Sequence, residues 1–204
     1  MKGEGTWLFW GVSNSYLISL DSSLLTADFS RTVPIITAQN LALRGRATQS
    51  STYYNYNIGY LALAANSNDG NLDSNYYHGS CSLTGNDMSP WWRVDLLQPN
   101  KISQVVVTNR GNCCSDGLNG ALILIGDSLN NNGNNNPSCS QITYIGNGAT
   151  LTFECNGMVG RFVNIVRPGM AIVQLCEIQV YGEPLLGPIC PTNNLIKIDN
   201  QKSR

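Results

Sequence analysis

The sequence predicts an all-β protein built as an antiparallel β-sandwich or jelly roll. Its central part carries short segments that alternate apolar and polar residues or are rich in β-branched residues, and Asn-Gly pairs lie between several of them. Short strands at such intervals, separated by turn residues, are typical of antiparallel sandwiches and barrels. No segment shows the apolar spacing of a convincing amphipathic helix.

The strand signals follow one another along the chain from residue 92. In residues 92–96 apolar and polar residues alternate, so Trp92, Val94 and Leu96 are predicted to share one face. Turns are predicted at the Asn-Gly pairs 119–120, 147–148 and 156–157, and a polar loop at 130–136. The predicted strands are residues 92–96, 102–108, 121–125, 142–145, 150–153, 161–166 and 176–181.

Length and composition predict one domain with extensions and exclude several function classes. A chain of 204 residues fits one domain at 39–183, an N-terminal leader or atypical extension at 1–38, and a tail or linker at 184–204. Twelve Lys and Arg against thirteen Asp and Glu leave no basic footprint for nucleic acid. No apolar run is long enough for a membrane span. A single histidine, with no Gly-x-Ser-x-Gly or phosphate loop, predicts that the protein is not an enzyme.

Seven cysteines without a Cys-x-x-Cys pair favour disulfides over a zinc site, and therefore a secreted protein. An odd count leaves at least one thiol over, and Cys190 in the proline-rich tail is the obvious candidate. Cys113 and Cys114 are adjacent, so each pairs elsewhere or the two form a strained eight-membered ring. Such a flat apolar ring suits the carbon face of a sugar, and Arg110 beside it can donate hydrogen bonds to hydroxyls.

Two further features have alternative interpretations. The oxygen-rich loop 66–75, centred on Asp69, fits either a hard cation such as Ca²⁺ or a solvated Asx turn, and Glu177 is a further candidate ligand.

The adjacent Trp91 and Trp92 resemble a sugar platform. Trp92 fits the core periodicity, whereas the role of Trp91 is left open.

Several segments resemble the fucose-binding F-type lectins, the fucolectins of fish. The resemblance covers about residues 39–183. It implies a discoidin-like jelly roll, a structural Ca²⁺ and a shallow sugar site at one end. The segments that carry it are 40–50, 69–71, 90–97, 108–114, 120–121, 125–126, 157–161 and 175–177.

The resemblance also implies specific pairings and ligands. The disulfides would be Cys81–Cys176, Cys113–Cys114 and Cys139–Cys155. The calcium ligands would be Asn66, Asp69, Asn71, Ser80, the carbonyl of Cys176 and the carboxylate of Glu177. The apolar shelf of the sugar site would consist of Tyr76, Tyr77, Cys113 and Cys114.

The sugar motif itself is degenerate. The family recognises fucose with a His, an Arg-x-Asp and a second basic residue, and Arg110 matches the first Arg. Leu83, Asn112 and Gly117 stand at the other three positions. The resemblance therefore implies a secreted, calcium-stabilised lectin of innate immunity that binds glycans, fucosylated ones among them, with weakened or altered specificity. The alternative is a paralogue without sugar binding that serves as a structural or protein-interaction module. Assembly into a homo-oligomer is left open.

Overall fold

The computed structural model of the protein describes residues 39–185, and the predicted leader at 1–38, most of the predicted tail and Cys190 lie outside these residues. Twelve strands and five short 3₁₀ turns make up this part of the chain. The turns are Leu41–Arg44, Ala64–Ser67, Tyr76–His78, Ser115–Leu118 and Asn130–Gly133. The strands are β1 Arg46–Gln49, β2 Tyr54–Asn55, β3 Tyr60–Leu61, β4 Ser82–Leu83, β5 Asp87–Met88, β6 Trp91–Thr108, β7 Leu122–Gly126, β8 Ser138–Gln141, β9 Thr150–Val166, β10 Met170–Ala171, β11 Gln174–Leu175 and β12 Glu177–Pro184.

The two long strands β6 and β9 organise an antiparallel sheet in the order β1-β6-β9-β7-β8. β1 pairs with the first part of β6 and β12 with its last part. The register between β6 and β9 shifts between Asp95 and Asn100, and again between Ile102 and Gln104. Register shifts of this kind occur at β-bulges, which bend a strand. The short pairs β4–β11, β5–β10 and β2–β3 lie outside the large sheet. This is the discoidin-like jelly-roll architecture that the sequence predicts.

The core follows the predicted alternation. Trp92, Val94 and Leu96 are buried, whereas Arg93 and Asp95 between them are half-buried. They pack in one hydrophobic cluster with Val105 and Val107 of β6, Ile165 of β9 and Ile178 of β12. Asp95 accepts two hydrogen bonds of 2.7 Å from the Arg161 guanidinium, which lower the pKa of Asp95. β-Sheet pairing thus places the loops at fixed positions on a rigid scaffold.

Some predicted elements differ in extent. Residues 92–96 and 102–108 join into β6, and residues 150–153 and 161–166 join into β9. The predicted strand at 142–145 is wrong: β8 ends at Gln141, and Ile142 and Ile145 are buried anchors of an extended loop. The predicted Asn156-Gly157 turn is a bulge within β9, with φ of 52° and 75°. In the predicted polar loop 130–136, residues Asn130–Gly133 form a 3₁₀ turn.

No helix in residues 39–185 is long and apolar enough to cross a membrane.

Candidate functional site

The adjacent cysteines Cys113 and Cys114 are bonded to each other, and their eight-membered ring lies in the loop after β6. Cys114 is exposed and Cys113 half-buried, so the ring is accessible to solvent. Cys114 has a φ of 61° and precedes the 3₁₀ turn Ser115–Leu118. Cys81–Cys176 and Cys139–Cys155 are the other two bridges, so all three join the pairs that the resemblance implies.

Arg110 lies three residues before the ring in the chain, and two contacts hold its side chain in place. Its guanidinium carbon lies 4.2 Å from the centre of the Tyr76 ring. Its Nε donates a 3.0 Å hydrogen bond to Oδ1 of Asn112, which also accepts from the backbone N–H of Tyr76 at 3.2 Å. Burial lowers the pKa of Arg110, which is 7% exposed. A neutral amide therefore orients this guanidinium where the family motif has a carboxylate.

The two tyrosines of the predicted apolar shelf have different positions. Tyr76 is 1% exposed and packs beneath Arg110, so the expectation that it offers a sugar contact is corrected. Tyr77 is 60% exposed, and its ring centre lies 5.7 Å from that of Tyr76. The exposed part of the shelf consists of Tyr77 and the disulfide ring.

Leu83 and Gly117, which stand at the His position and the second basic position of the family's sugar motif, offer no polar side chain. Leu83 on β4 is buried against Ala62, Tyr76 and the Cys81–Cys176 bridge. Gly117 is buried too, and a Cβ added there would lie 2.6–2.7 Å from the side chain of Gln174. The φ of Gly117 lies outside the left-handed region, so the obstacle to a larger residue is space rather than backbone strain.

Gln174 and Arg167 are site residues that the sequence did not predict. Gln174 is 3% exposed, and its Nε2 donates to the carbonyl of Cys114. Nη1 of Arg167 donates to the carbonyl of Gly117 at 3.3 Å. Both residues line a cavity of about 230 Å³ beside the ring, together with Cys114 and Asp116. Neither carries a sequence signal, because each reaches the ring only through the pairing of distant strands.

Of the predicted calcium ligands, Asp69 lies close to Glu177, the first residue of β12. The Glu177 side chain is fully buried, and its Oε1 accepts a hydrogen bond from the N–H of Gly70 at 3.2 Å. Its Oε2 is buried without a hydrogen-bond partner. Burial, and next the nearby charge of Asp69, raise the pKa of Glu177 to about 7. A buried carboxylate oxygen normally has a partner, and Oε2 of Glu177 has none within the described residues.

Neighbouring residues supply further oxygen atoms of the kind that a hard cation prefers. Ser80 is buried next to Cys81, which the bridge to Cys176 holds close to Glu177. Asn66 and Asp69 come from the segment that reaches Glu177 through Gly70. Two carboxylates with amide, hydroxyl and carbonyl oxygens suit Ca²⁺. The residues present therefore fit this ion.

Comparisons with known proteins agree with this fold. Residues 66–165 match the model of the NedA-like, galactose-binding domain family. Fucolectin-4 from Anguilla japonica is 52% identical over 143 residues, which cover 70% of this chain and 79% of the relative. A pentraxin fusion protein from Xenopus laevis is 38% identical over 149 residues, which cover 72% of this chain and 35% of the relative.

Solved structures are similar as well. The crystal structure of an F-lectin (fucolectin) from the serum of striped bass, Morone saxatilis, is 50% identical, with a TM-score of 0.67. The match covers 72% of this chain but 48% of that one, so this chain spans about half its length. A fucose-binding module from Streptococcus pneumoniae is 28% identical with a TM-score of 0.58, covering 70% of this chain and 97% of the module.

Proposed function

The chain belongs to the fucolectin family of carbohydrate-binding lectins, which are not enzymes, and from this we propose that it binds glycans at the exposed Cys113–Cys114 ring with altered specificity. One observation carries the proposal: a solvent-accessible apolar ring lies next to an arginine whose orientation is held by Asn112. A flat ring packs against the C–H face of a pyranose, and the guanidinium donates to hydroxyls at its edge.

Weakened recognition of free fucose follows from the three substituted positions. Leu83 has no donor, Gly117 has no side chain, and Asn112 is neutral. Each lost charged hydrogen bond costs about 1.5–3 kcal/mol. Gln174 and Arg167 provide different polar groups on the Cys114 side of the ring. We therefore expect a glycan other than free fucose, or a longer fucosylated one, to be the preferred ligand.

Calcium binding is the second part of the proposal. Asp69 and Glu177 would supply charge, and Asn66, Asn71, Ser80 and the carbonyl of Cys176 would supply neutral oxygens. The ion would neutralise the buried carboxylate and tie the segment around Gly70 to the start of β12, which the Glu177–Gly70 hydrogen bond already joins. Its role there is structural.

Secretion and a role in innate immunity complete the proposal. Three disulfides within the described residues favour an oxidising compartment. The similar striped-bass lectin is a serum protein. A circulating lectin that binds glycans on cell surfaces would suit host defence.

Glycan-array binding by the wild-type protein and by Tyr77→Ala tests the sugar site. Tyr77 is exposed beside Arg110, so its loss is expected to weaken binding by about 2–10-fold without unfolding the domain. Tyr144→Ala removes a comparably exposed ring and is expected to leave binding unchanged. If folded wild-type protein binds no glycan, the proposal is wrong and a structural or protein-interaction module is favoured.

Restoring the family motif is expected to increase affinity for fucose only if space is made for it. In Leu83→His/Gly117→Arg the new arginine would collide with Gln174, so this double variant is expected to be destabilised and to gain little affinity. Adding Gln174→Ala removes the obstacle, and the triple variant is expected to bind fucose at least tenfold more tightly than wild type. Calorimetry on all three proteins measures this. Equal fucose affinity in wild type and the folded triple variant would contradict the assignment of these positions.

A further inference from the structure

A second cavity lies at the start of β6. Its volume is about 410 Å³, which falls within the range of small-molecule sites. It shares no lining residue with the cavity beside Cys114. Trp91, whose role the sequence left open, forms part of its wall. The other lining residues are Met88, Ser89, Leu122, Asn131, Asn132, Asn134, Val166 and Pro168. We call this cavity the Trp91 pocket.

Hydrogen bonds from neighbouring strands hold the asparagine-rich wall of the Trp91 pocket. The carbonyl of Asn132 accepts from Nη1 of Arg93 at 2.7 Å and from Nδ2 of the buried Asn164 at 2.8 Å. Nδ2 of Asn164 also lies 3.2 Å from Oδ1 of Asn134. The Arg93 guanidinium lies 4.9 Å from the centre of the Trp91 ring, so it joins the aromatic wall to the amide wall. A site that is ordered before binding loses less conformational entropy when a ligand binds.

The backbone around the pocket is strained. Six residues other than glycine have a positive φ within residues 39–185, and three of them line this cavity: Ser89 at 51°, Asn131 at 50° and Asn132 at 56°. Such conformations are uncommon for residues other than glycine and cluster at functional sites. Asn131, Asn132 and Asn134 of this loop line the cavity together with apolar neighbours.

The chemistry of the lining identifies the class of ligand. No charged side chain lines the cavity. Its polar groups are three amides and one hydroxyl, each able to donate and to accept. Its apolar groups include an indole ring, a methionine and a proline. An aromatic face for C–H groups together with neutral amides for hydroxyls matches a neutral pyranose better than a charged sugar or a lipid chain.

We propose that the Trp91 pocket is a second saccharide-binding site, which takes a neutral pyranose and works independently of the disulfide ring. Trp91 provides the stacking surface, and Asn131, Asn132 and Asn134 contact the hydroxyls. Two separate sites on one domain allow it to bind two branches of one glycan or to cross-link two glycans. Linked sites of this kind raise avidity without any new contact.

Titration of the ¹⁵N-labelled full chain with methyl β-D-galactopyranoside and methyl α-L-fucopyranoside tests this proposal. The indole N–H signal of Trp91, assigned by its absence in Trp91→Phe, is expected to shift saturably with at least one of them. Tyr77→Ala, which impairs the disulfide-ring site, is expected to keep this shift. Failure of the ring site and failure of the Trp91 pocket are therefore distinguishable.

Two variants and a control make the result decisive. The pair Asn131→Gly/Asn132→Gly removes the amides while glycine accepts the positive φ, and it is expected to weaken binding at least fivefold. Trp91→Ala is expected to abolish the shifts that the glycoside causes in the backbone amide signals of Asn131 and Asn132. Val159→Ala, an exposed position elsewhere on β9, is expected to have no effect. The proposal is overturned if neither glycoside shifts the Trp91 signal at tens of millimolar, or if the glycine pair binds like wild type.

Discussion

Replacing Cys81 and Cys176 together by alanine is expected to lower the free energy of unfolding by about 4–5 kcal/mol, the largest effect of any change considered for this protein. The bridge joins residues 95 positions apart, so it restricts the unfolded chain over much of the domain. Both cysteines are fully buried. Because the bridge also holds Ser80 near Glu177, calcium affinity is expected to fall as well. Urea unfolding in the presence and absence of Ca²⁺ measures both effects.

The matched control is the same change at the Cys139–Cys155 bridge. That bridge spans 16 positions, so its loss is expected to cost about 3 kcal/mol and to leave calcium affinity unaltered. Similar losses in the two double variants, with calcium binding intact in both, would contradict the role assigned to Cys81–Cys176.

Removing calcium with a chelator is expected to lower the melting temperature by about 5–10 °C. An ion that binds only the folded state at one hundred times its Kd stabilises it by about 2.7 kcal/mol, which corresponds to a shift of this size in a domain of this length. Glu177→Gln is expected to reduce the calcium-dependent increment most, because it removes a full charge from the proposed ligand set. Calorimetric melting curves with added Ca²⁺ and with chelator measure the increment.

The expected effect of Glu177→Gln on the melting temperature reverses when chelator is present. There Glu177→Gln is expected to melt at the wild-type temperature or above it, because the buried Oε2 of Glu177 has no partner and the amide carries no charge. Glu183→Gln is an identical change at an exposed carboxylate. It is expected to change neither the calcium-dependent increment nor the melting temperature with chelator. Identical wild-type melting curves with calcium and with chelator would exclude the calcium site.

Much of the fold was predictable because it depends on local patterns. Alternation in residues 92–96 predicted a strand with Trp92, Val94 and Leu96 inside, and they are buried. Period-two patterns need no knowledge of the partner strand, since one face of a strand must be covered. The prediction failed at 142–145, where apolar residues anchor a loop. β-Branched residues are favoured at buried positions as well as in strands, so they do not by themselves distinguish a strand from a buried loop.

The candidate sugar site was predictable in part, through the motif that surrounds Arg110. Residue identity showed that Leu83, Asn112 and Gly117 lack the groups of that motif. It did not show that Asn112 still orients Arg110, that Tyr76 lies underneath, or that Gln174 fills the space beside Gly117. The first depends on the conformation of one loop, and the other two are contacts between segments that only the folded chain brings together.

The sequence alone therefore determined where the long strands β6, β9 and β12 run, which cysteines are available and which recognition groups are missing, because these follow from side-chain chemistry and short-range periodicity. The tertiary structure decided which residues meet. β11 brings Gln174 to Cys114, 60 positions away in the chain, and Arg93 on β6 reaches the carbonyl of Asn132, 39 positions away. Strand pairing and its register place such side chains within hydrogen-bonding distance, and no local pattern encodes that distance.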